Sequence, residues 1–470
     1  MQQQSIGLVA SIGAGIVAAA LLALLASTGE WYAVAAIGAG IGTLYVLVRY
    51  WRLQWVLFFA IMPVYFFQSD VEVTAFDLAM AVYLATLLLG WLVWAITLRR
   101  SELIWRPADA ILWLALIASV GSVAVAVVRG TSVLNWAREW ALIAMVAYYF
   151  VFRSAFASQE QFRFYAMLLV LLSVSLSVIG ALNFRQQVIE AIYAFQIRGV
   201  KGVSAVYLIG FFLSISLLLF RERWWERLLW FTTGSLITGG IVISYTRTIW
   251  VGSIVSIAVM LLVLPAVQRI RLLVVMGIAA VVLGGIAQLV FGNVVTTVGR
   301  VLLSRALTLK TATKQASVIE RRDEMQRIVQ LLSRRPDIAI AGVAPGGKFV
   351  YYDTYLGKPK RTHFLHNGMV GLMFKFGVPV GLTFYLFHLL MLVKSIRCYF
   401  RSRRTWLEPY VLPFTLTLLG TTVMDWTTNA FFIRSGCLFL GMLYAGVAIA
   451  DRLLGREESH PSVMAPAHVH

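Results

Sequence analysis

The sequence predicts an all-α polytopic membrane protein with 12–14 transmembrane helices and one long external loop that carries amphipathic helices. Three observations predict it. Of the 470 residues, 60% are hydrophobic and only 13% charged, against about 25% charged in soluble domains. Apolar stretches of roughly 15–25 residues recur along the chain, the length that crosses a hydrocarbon core. Alternation with a period of two is rare, which argues against an outer-membrane barrel.

Fourteen apolar segments follow in order: 5–28, 31–48, 54–68, 78–98, 108–128, 139–152, 162–182, 207–220, 228–245, 248–265, 272–291, 367–393, 408–424 and 435–450. The first lacks a basic leader and a cleavage site, and reads as a retained helix. Basic clusters fall in alternate loops: Arg49/Arg52, Arg99/Arg100/Arg106, Arg153/Arg163, Arg221/Arg223/Arg227, Arg269/Arg271, and Lys394 through Arg404. The intervening short loops are poor in Lys and Arg, and "SDVEVTAFD" is acidic. The positive-inside rule then puts both termini in the cytoplasm and makes the number of crossings even. Four parts result: an N-terminal helix bundle over 1–291, a long external loop over 292–365, C-terminal helices over 366–450, and a cytoplasmic tail over 451–470.

The net charge of +19 would suggest nucleic acid in a soluble protein. Here the short loops absorb most of the basic residues, and no aromatic-plus-basic platform stands outside the membrane pattern. No nucleic-acid partner is expected. Cys398 is placed in a cytoplasmic loop and Cys437 in a membrane segment, so neither a disulfide nor a cysteine metal site is expected.

The long loop is different. It holds thirteen Lys/Arg against five Asp/Glu, yet loops of this length largely escape the positive-inside rule. Anionic lipid headgroups or an anionic substrate are the two explanations. Within it "ERRDEMQRIVQLLSRRP" reads as an amphipathic helix stopped by Pro336, with Met325, Ile328, Val329 and Leu332 on the apolar face. Arg321, one turn earlier, falls on that face and must find an anion there. Arg322, Asp323, Gln326 and Arg327 read as a solvated face. "GVAPGGKF" is a Gly/Pro turn without the spacing of a phosphate loop.

His363 and His366 stand at the threshold of the next apolar run. No third ligand accompanies them, so a metal pair is set aside. His388, about 33 Å further along a straight helix, belongs toward the opposite face. For His366 a packing or capping role and a base role both remain. A helix N-terminus and a nearby arginine would favour the neutral ring, the form that accepts a proton. In "ISYTRTIWVG", Arg247 interrupts two apolar runs at the external side, where an ionisable residue is a functional candidate.

These residues resemble the O-antigen ligase and polymerase superfamily. The resemblance rests on the many helices, the long external loop before a late helix, and His366-Asn367 followed at nine residues by Gly377. It rests also on Arg247 after the ninth apolar segment and on Arg321 within "SVIERRDEM". Two features depart from the pattern: Lys375 stands where relatives often carry an acid, and Gly381 comes one residue later than usual.

The resemblance implies a GT-C-type glycosyltransferase of the bacterial inner membrane with its active site facing the periplasm, which makes the long loop periplasmic. It implies transfer of a glycan from an undecaprenyl-pyrophosphate donor to lipid A–core (ligase), to another carrier-linked repeat (polymerase) or to protein. On that reading His366 is the catalytic base and Arg247 and Arg321 bind the pyrophosphate. His363, Asn367, Tyr245 and Arg434 support them, with Asp425 lining the acceptor side. Membrane lipids are the remaining partner. The carboxylates needed for a metal-dependent transfer are scarce outside, Asp70 and Glu72 being the nearest pair, so no metal and no cofactor are expected and inversion is the expected course. A transporter or flippase and an assembly scaffold are the rivals from other classes.

Overall fold

The computed structural model describes residues 51–67, 75–190, 204–244, 246–291, 316–426, 428–433 and 435–459. The two N-terminal apolar segments and the tail beyond 459 therefore lie outside the described residues, as does 292–315 of the long loop. The chain divides into two compact units, Met1–Asp109 and Ala110–His470.

In the first unit α1 (Trp51–Phe67) and α2 (Ala75–Leu98) are apolar all round, as expected of helices without an aqueous face. Phe58 meets Tyr83 across them with ring centroids 6.2 Å apart.

The second unit runs α3 (Pro107–Val120), α4 (Ser122–Val128), α5 (Val133–Ala144), α6 (Tyr148–Ala155), α7 (Gln159–Glu190), α8 (Ser204–Phe220), α9 (Trp224–Ile243), α10 (Arg247–Val263) and α11 (Ala266–Phe291). The long loop supplies α12 (Ala316–Arg334), α13 (Pro336–Ala341) and a hairpin of β1 (Phe349–Asp353) and β2 (Lys358–Thr362). The chain closes with α14 (Gly368–Phe376), α15 (Val378–Ser402), α16 (Glu408–Asp425) and α17 (Gly436–Ser459). Among the described residues five helices are long and apolar enough to cross a membrane, and three more apolar helices are shorter.

The helix core centres on α8 and α17, which are buried along nearly their whole length. Small residues let the backbones approach, the usual device where lipid removes any hydrophobic drive between helices. The Ser173 hydroxyl donates to the Val206 carbonyl at 2.9 Å, joining α7 to α8. Ser256 donates to the Leu416 carbonyl at 2.8 Å, joining α10 to α16.

The loop builds its own small core. Ile328, Ile338, Val343, Phe349, Tyr351, Leu365, Val370 and Phe374 are buried together, so α14 packs with the loop as well as with α15 after it. The expected amphipathic helix is α12, and Pro336 begins α13 directly after it. Its apolar stripe is rotated from expectation: Val329 is 51% exposed, while Leu331 joins Met325 and Leu332 against the core.

On the face read as solvated, Arg322, Gln326 and Arg327 are exposed, and Asp323 and Arg327 also bond to the hairpin. Asp323 accepts the Thr354 N–H at 2.9 Å and Arg327 donates Nε to the Val350 carbonyl at 3.3 Å. The hairpin is non-local, so helical periodicity alone could not reveal it.

Four expectations change. The segment 367–393 is two helices, not one, because Gly377 takes φ +84° between α14 and α15. A Cβ at Gly381 would collide with the Met373 amide, so α15 folds back on α14. The straight-helix distance to His388 therefore does not apply. His388 sits inside α15 between Tyr444 (2.7 Å) and Thr422 (2.8 Å). The stretch Lys394 to Ser402, with the free and buried Cys398, is helix rather than loop. α17 continues past residue 450 to Ser459. The segment 139–152 is broken between α5 and α6 by a 3-10 turn at Met145–Ala147.

The Gly/Pro stretch 342–347 is a fastening. Val343 and Ala344 donate their N–H groups to the Phe374 and Lys375 carbonyls, each at 2.9 Å, capping the C-terminal end of α14. Gly342 and Gly347 donate to Ile338 and Ala344, and Gly346 to Glu139 at 2.6 Å. With Pro345 lacking an N–H, every amide from 342 to 347 is engaged, and none remains for a phosphate. Lys375 completes the fastening. Its ammonium, 2% exposed, reaches Glu139 and the Gly347 carbonyl, both at 2.9 Å.

Removing one partner of a buried ion pair leaves an uncompensated charge and costs about 3–5 kcal/mol. Lys375→Met should therefore lower the thermal midpoint of the detergent-solubilised protein strongly. Glu139→Gln combined with Lys375→Met should recover much of the loss, measured as a double-mutant cycle.

Candidate functional site

The site forms where α10, α12, α14 and the loop after α16 meet. Two hydrogen bonds tie these elements together. Thr428, beyond α16, donates to Thr248 in the first turn of α10 at 3.2 Å. Asn367 donates to the Trp426 carbonyl at 3.3 Å. Asn367 is also the N-cap of α14, its side-chain oxygen accepting the Val370 N–H at 2.9 Å. It fixes the helix that starts after His366 rather than the ring itself.

His366 precedes that cap. Its Nδ1 lies 2.9 Å from Glu324 Oε2, and its backbone N–H donates to the same oxygen at 3.1 Å. The Glu324 side chain is 3% exposed and the His366 side chain 32%. A buried carboxylate thus holds one edge of a ring that still reaches solvent. The ring of Phe364 stands perpendicular to it at 5.2 Å.

Arg321 lies one turn before Glu324 on α12 and is half-buried. Burial lowers the tendency of its guanidinium to hold a proton, and the positive charge of Arg247 lowers it further. Glu324 and Glu320 act in the opposite direction. Arg321 is thus influenced by one like charge and two opposite charges. Arg247 is the first residue of α10. Its backbone position at a helix N-terminus adds a partial positive charge to the same region.

Glu320 is occupied. Tyr351 of β1 donates to it at 3.0 Å, and Lys360 of β2 forms an ion pair with it. Burial alone would raise its pKa, but the bonds from Lys360 and Tyr351, with the charges of Lys360 and His366, bring it below the ordinary carboxylate value. The hairpin is thereby locked to the helix that carries Arg321.

The remaining sequence candidates fall as follows. His363 is exposed, with Nε2 4.0 Å from Glu139 Oε1. Asp425 is buried at the end of α16, and its carboxylate fills the space a side chain at Gly368 would need, beneath the first turn of α14. Tyr245 and Arg434 lie outside the described residues. Among the described residues no group of three or more His, Cys, Asp or Glu converges on one point as a metal site.

The sequence reading surrounded His366 with a helix N-terminus and arginines. The carboxylates Glu324 and Glu320 were not foreseen. A signal for Glu324 was present: it lies on the same stripe of α12 as Arg321, Met325 and Ile328, and an acid on a buried stripe requires a partner.

Two expectations about stability follow. Asn367→Ala removes the α14 cap and should cost about 1 kcal/mol, seen as a lower melting temperature. The depressed carboxyl of Glu320 contributes stability that is present above its ordinary value of 4.5 and is lost as pH falls through the lower folded value. Amide protection, the slowing of exchange relative to the unfolded chain, should therefore fall in 349–362 in that acidic window and stay flat across neutral pH.

No curated protein matches the chain. Residues 232–385 match the family model described as O-antigen ligase, a span that includes Arg247, Arg321 and His366. Members of that family are membrane glycosyltransferase-like enzymes, and the apolar helices make this a multi-pass membrane protein. Over that third of its length the chain is similar to the O-antigen ligase family.

Proposed function

We propose that the protein is an O-antigen ligase. It moves O-antigen polysaccharide from undecaprenyl pyrophosphate to lipid A–core at the periplasmic face of the inner membrane. What supports this reading is that His366 is bonded to Glu324, one turn along α12 from Arg321, and that Arg321 feels the positive charge of Arg247.

The chemistry fits these groups. An acceptor hydroxyl is a poor nucleophile until a base takes its proton. His366, with Nδ1 directed to Glu324, offers Nε2 as that acceptor. The hydroxyl oxygen forms a bond to the anomeric carbon while the bond from that carbon to the pyrophosphate oxygen breaks. The proton moves to His366, and the departing undecaprenyl pyrophosphate carries the electron pair. Arg247 and Arg321 strengthen their hold as negative charge builds on the leaving group. A single displacement of this kind inverts the anomeric centre. The cations are side chains, so the reaction is metal-independent. Both substrates are lipid-anchored, so grooves between the apolar helices take the polyprenyl and acyl tails. The basic loop suits a phosphorylated core acceptor, which favours ligase over polymerase.

Purified protein given carrier-linked glycan and lipid A–core should form the joined product, with EDTA without effect. His366→Ala should lower the rate by about 10²–10⁴-fold. Arg321→Ala should lower it by about 10²–10³-fold, with Arg321→Lys recovering only part because the planar fork is lost. A lipopolysaccharide gel of a deletion strain should lose its ladder while carrier-linked polymer persists. Single-repeat products would mean polymerase instead, and transport without a covalent product would overturn the enzymatic reading.

A further inference from the structure

We propose that Glu324 is the positioning residue of the catalytic histidine: it holds His366 with the proton on Nδ1 and steadies the ring's positive charge as Nε2 takes the acceptor proton. The inference rests on His366 being the base.

The geometry carries it. One oxygen of a buried carboxylate accepts both the His366 backbone N–H, at 3.1 Å, and ring Nδ1, at 2.9 Å. The backbone bond fixes the oxygen relative to the main chain, and the ring bond fixes the imidazole relative to the oxygen. An ionised carboxylate has no proton to give, so the ring nitrogen facing it is the donor, and in the neutral tautomer that follows Nε2 is the acceptor. Glu324 is three residues beyond Arg321, a rise of about 4.5 Å along one face of α12. A single helix thereby sets the distance between a leaving-group cation and the base, the sort of precision that proximity catalysis requires.

Glu320, the second carboxylate near the ring, is not a competitor, because Lys360 and Tyr351 hold it. The other charged groups acting here are Arg321 on α12, Arg247 on α10 and His363 on the same loop as His366, with His363 turned to Glu139. None of these supplies a second acceptor for Nδ1.

Two substitutions separate charge from orientation. In Glu324→Gln the amide oxygen can keep both acceptor bonds while the charge is lost. Glu324→Leu removes both. The assay is transfer from carrier-linked glycan to lipid A–core, followed as kcat and KM against pH, with thermal melts as a folding control. Glu324→Gln should reduce kcat roughly 10-fold and Glu324→Leu roughly 10²–10³-fold, each with donor KM little changed.

Activity should fall on the acid side where His366 becomes protonated. Loss of the carboxylate removes a group that favours the protonated ring, so that acid limb should move to lower pH in both variants. Glu324→Asp, which keeps the charge on a shorter arm, should retain the wild-type limb at reduced kcat, and it decides the matter if the other two variants fail to fold.

Wild-type kcat and limb in a folded Glu324→Gln, or a fall in kcat with the limb unmoved, would overturn the proposal while an inactive His366→Ala keeps the histidine as base. A Glu324→Asp limb displaced like that of the neutral variants would overturn it as well. Full activity in His366→Ala would remove the reading beneath it.

Discussion

A nine-residue helix held at both ends sets the position of everything chemical in this molecule. α14 is too short to be stable by itself, and it has no long apolar face to anchor it in the bilayer. Its N-terminus is capped by Asn367 and rests on the Asp425 carboxylate, which the missing side chain at Gly368 admits. Its C-terminal carbonyls are closed by the amides of Val343 and Ala344. Lys375 then nails its last turn to Glu139 of α5. Ordering so short an element takes this many bonds because each ordered residue costs about 1–2 kcal/mol of backbone entropy. The benefit is that His366, one residue before the cap, stands on a rigid post.

The same constraint explains the pairing of the long loop with α14. The loop's apolar residues cannot face lipid, since they belong to a basic and largely polar segment, and cannot face water without cost. They bury against α14 instead, and the hairpin closes the far side of α12 through Glu320, Asp323 and Arg327. α12 is thus gripped on two faces. That grip matters because a guanidinium in half-buried surroundings gains affinity for an anion only if it cannot relax toward water. Arg321 is held against the charge of Arg247 with Glu324 and Glu320 close by.

Legibility differed among the residues for identifiable reasons. Arg321 and Arg247 could be read because a charge inside an apolar pattern is visible in one dimension. His366 could be read because it opened an apolar run in a chain with only six histidines. Glu139 was invisible for the opposite reason: it is an acid in a mixed stretch, and only the partner that folds onto it gives it meaning. Lys375 read as a departure from the family pattern, and in the fold it is half of a buried pair. Val329 went astray because its burial was assigned from helical phase, and the apolar stripe of α12 is rotated toward Leu331.

By itself the sequence determined that this is a helical membrane protein with a separate basic loop, and which cations and which base were worth attention. Those properties follow from hydropathy, periodicity and local charge, all of which act within a few turns of chain. Only the tertiary structure decided that the run after His366 breaks at Gly377, that the loop owns a core, and that His366 rests on a carboxylate 42 residues earlier in the chain. Such contacts join segments far apart in sequence, and their energy depends on burial and mutual orientation, quantities that exist only once the chain has closed on itself.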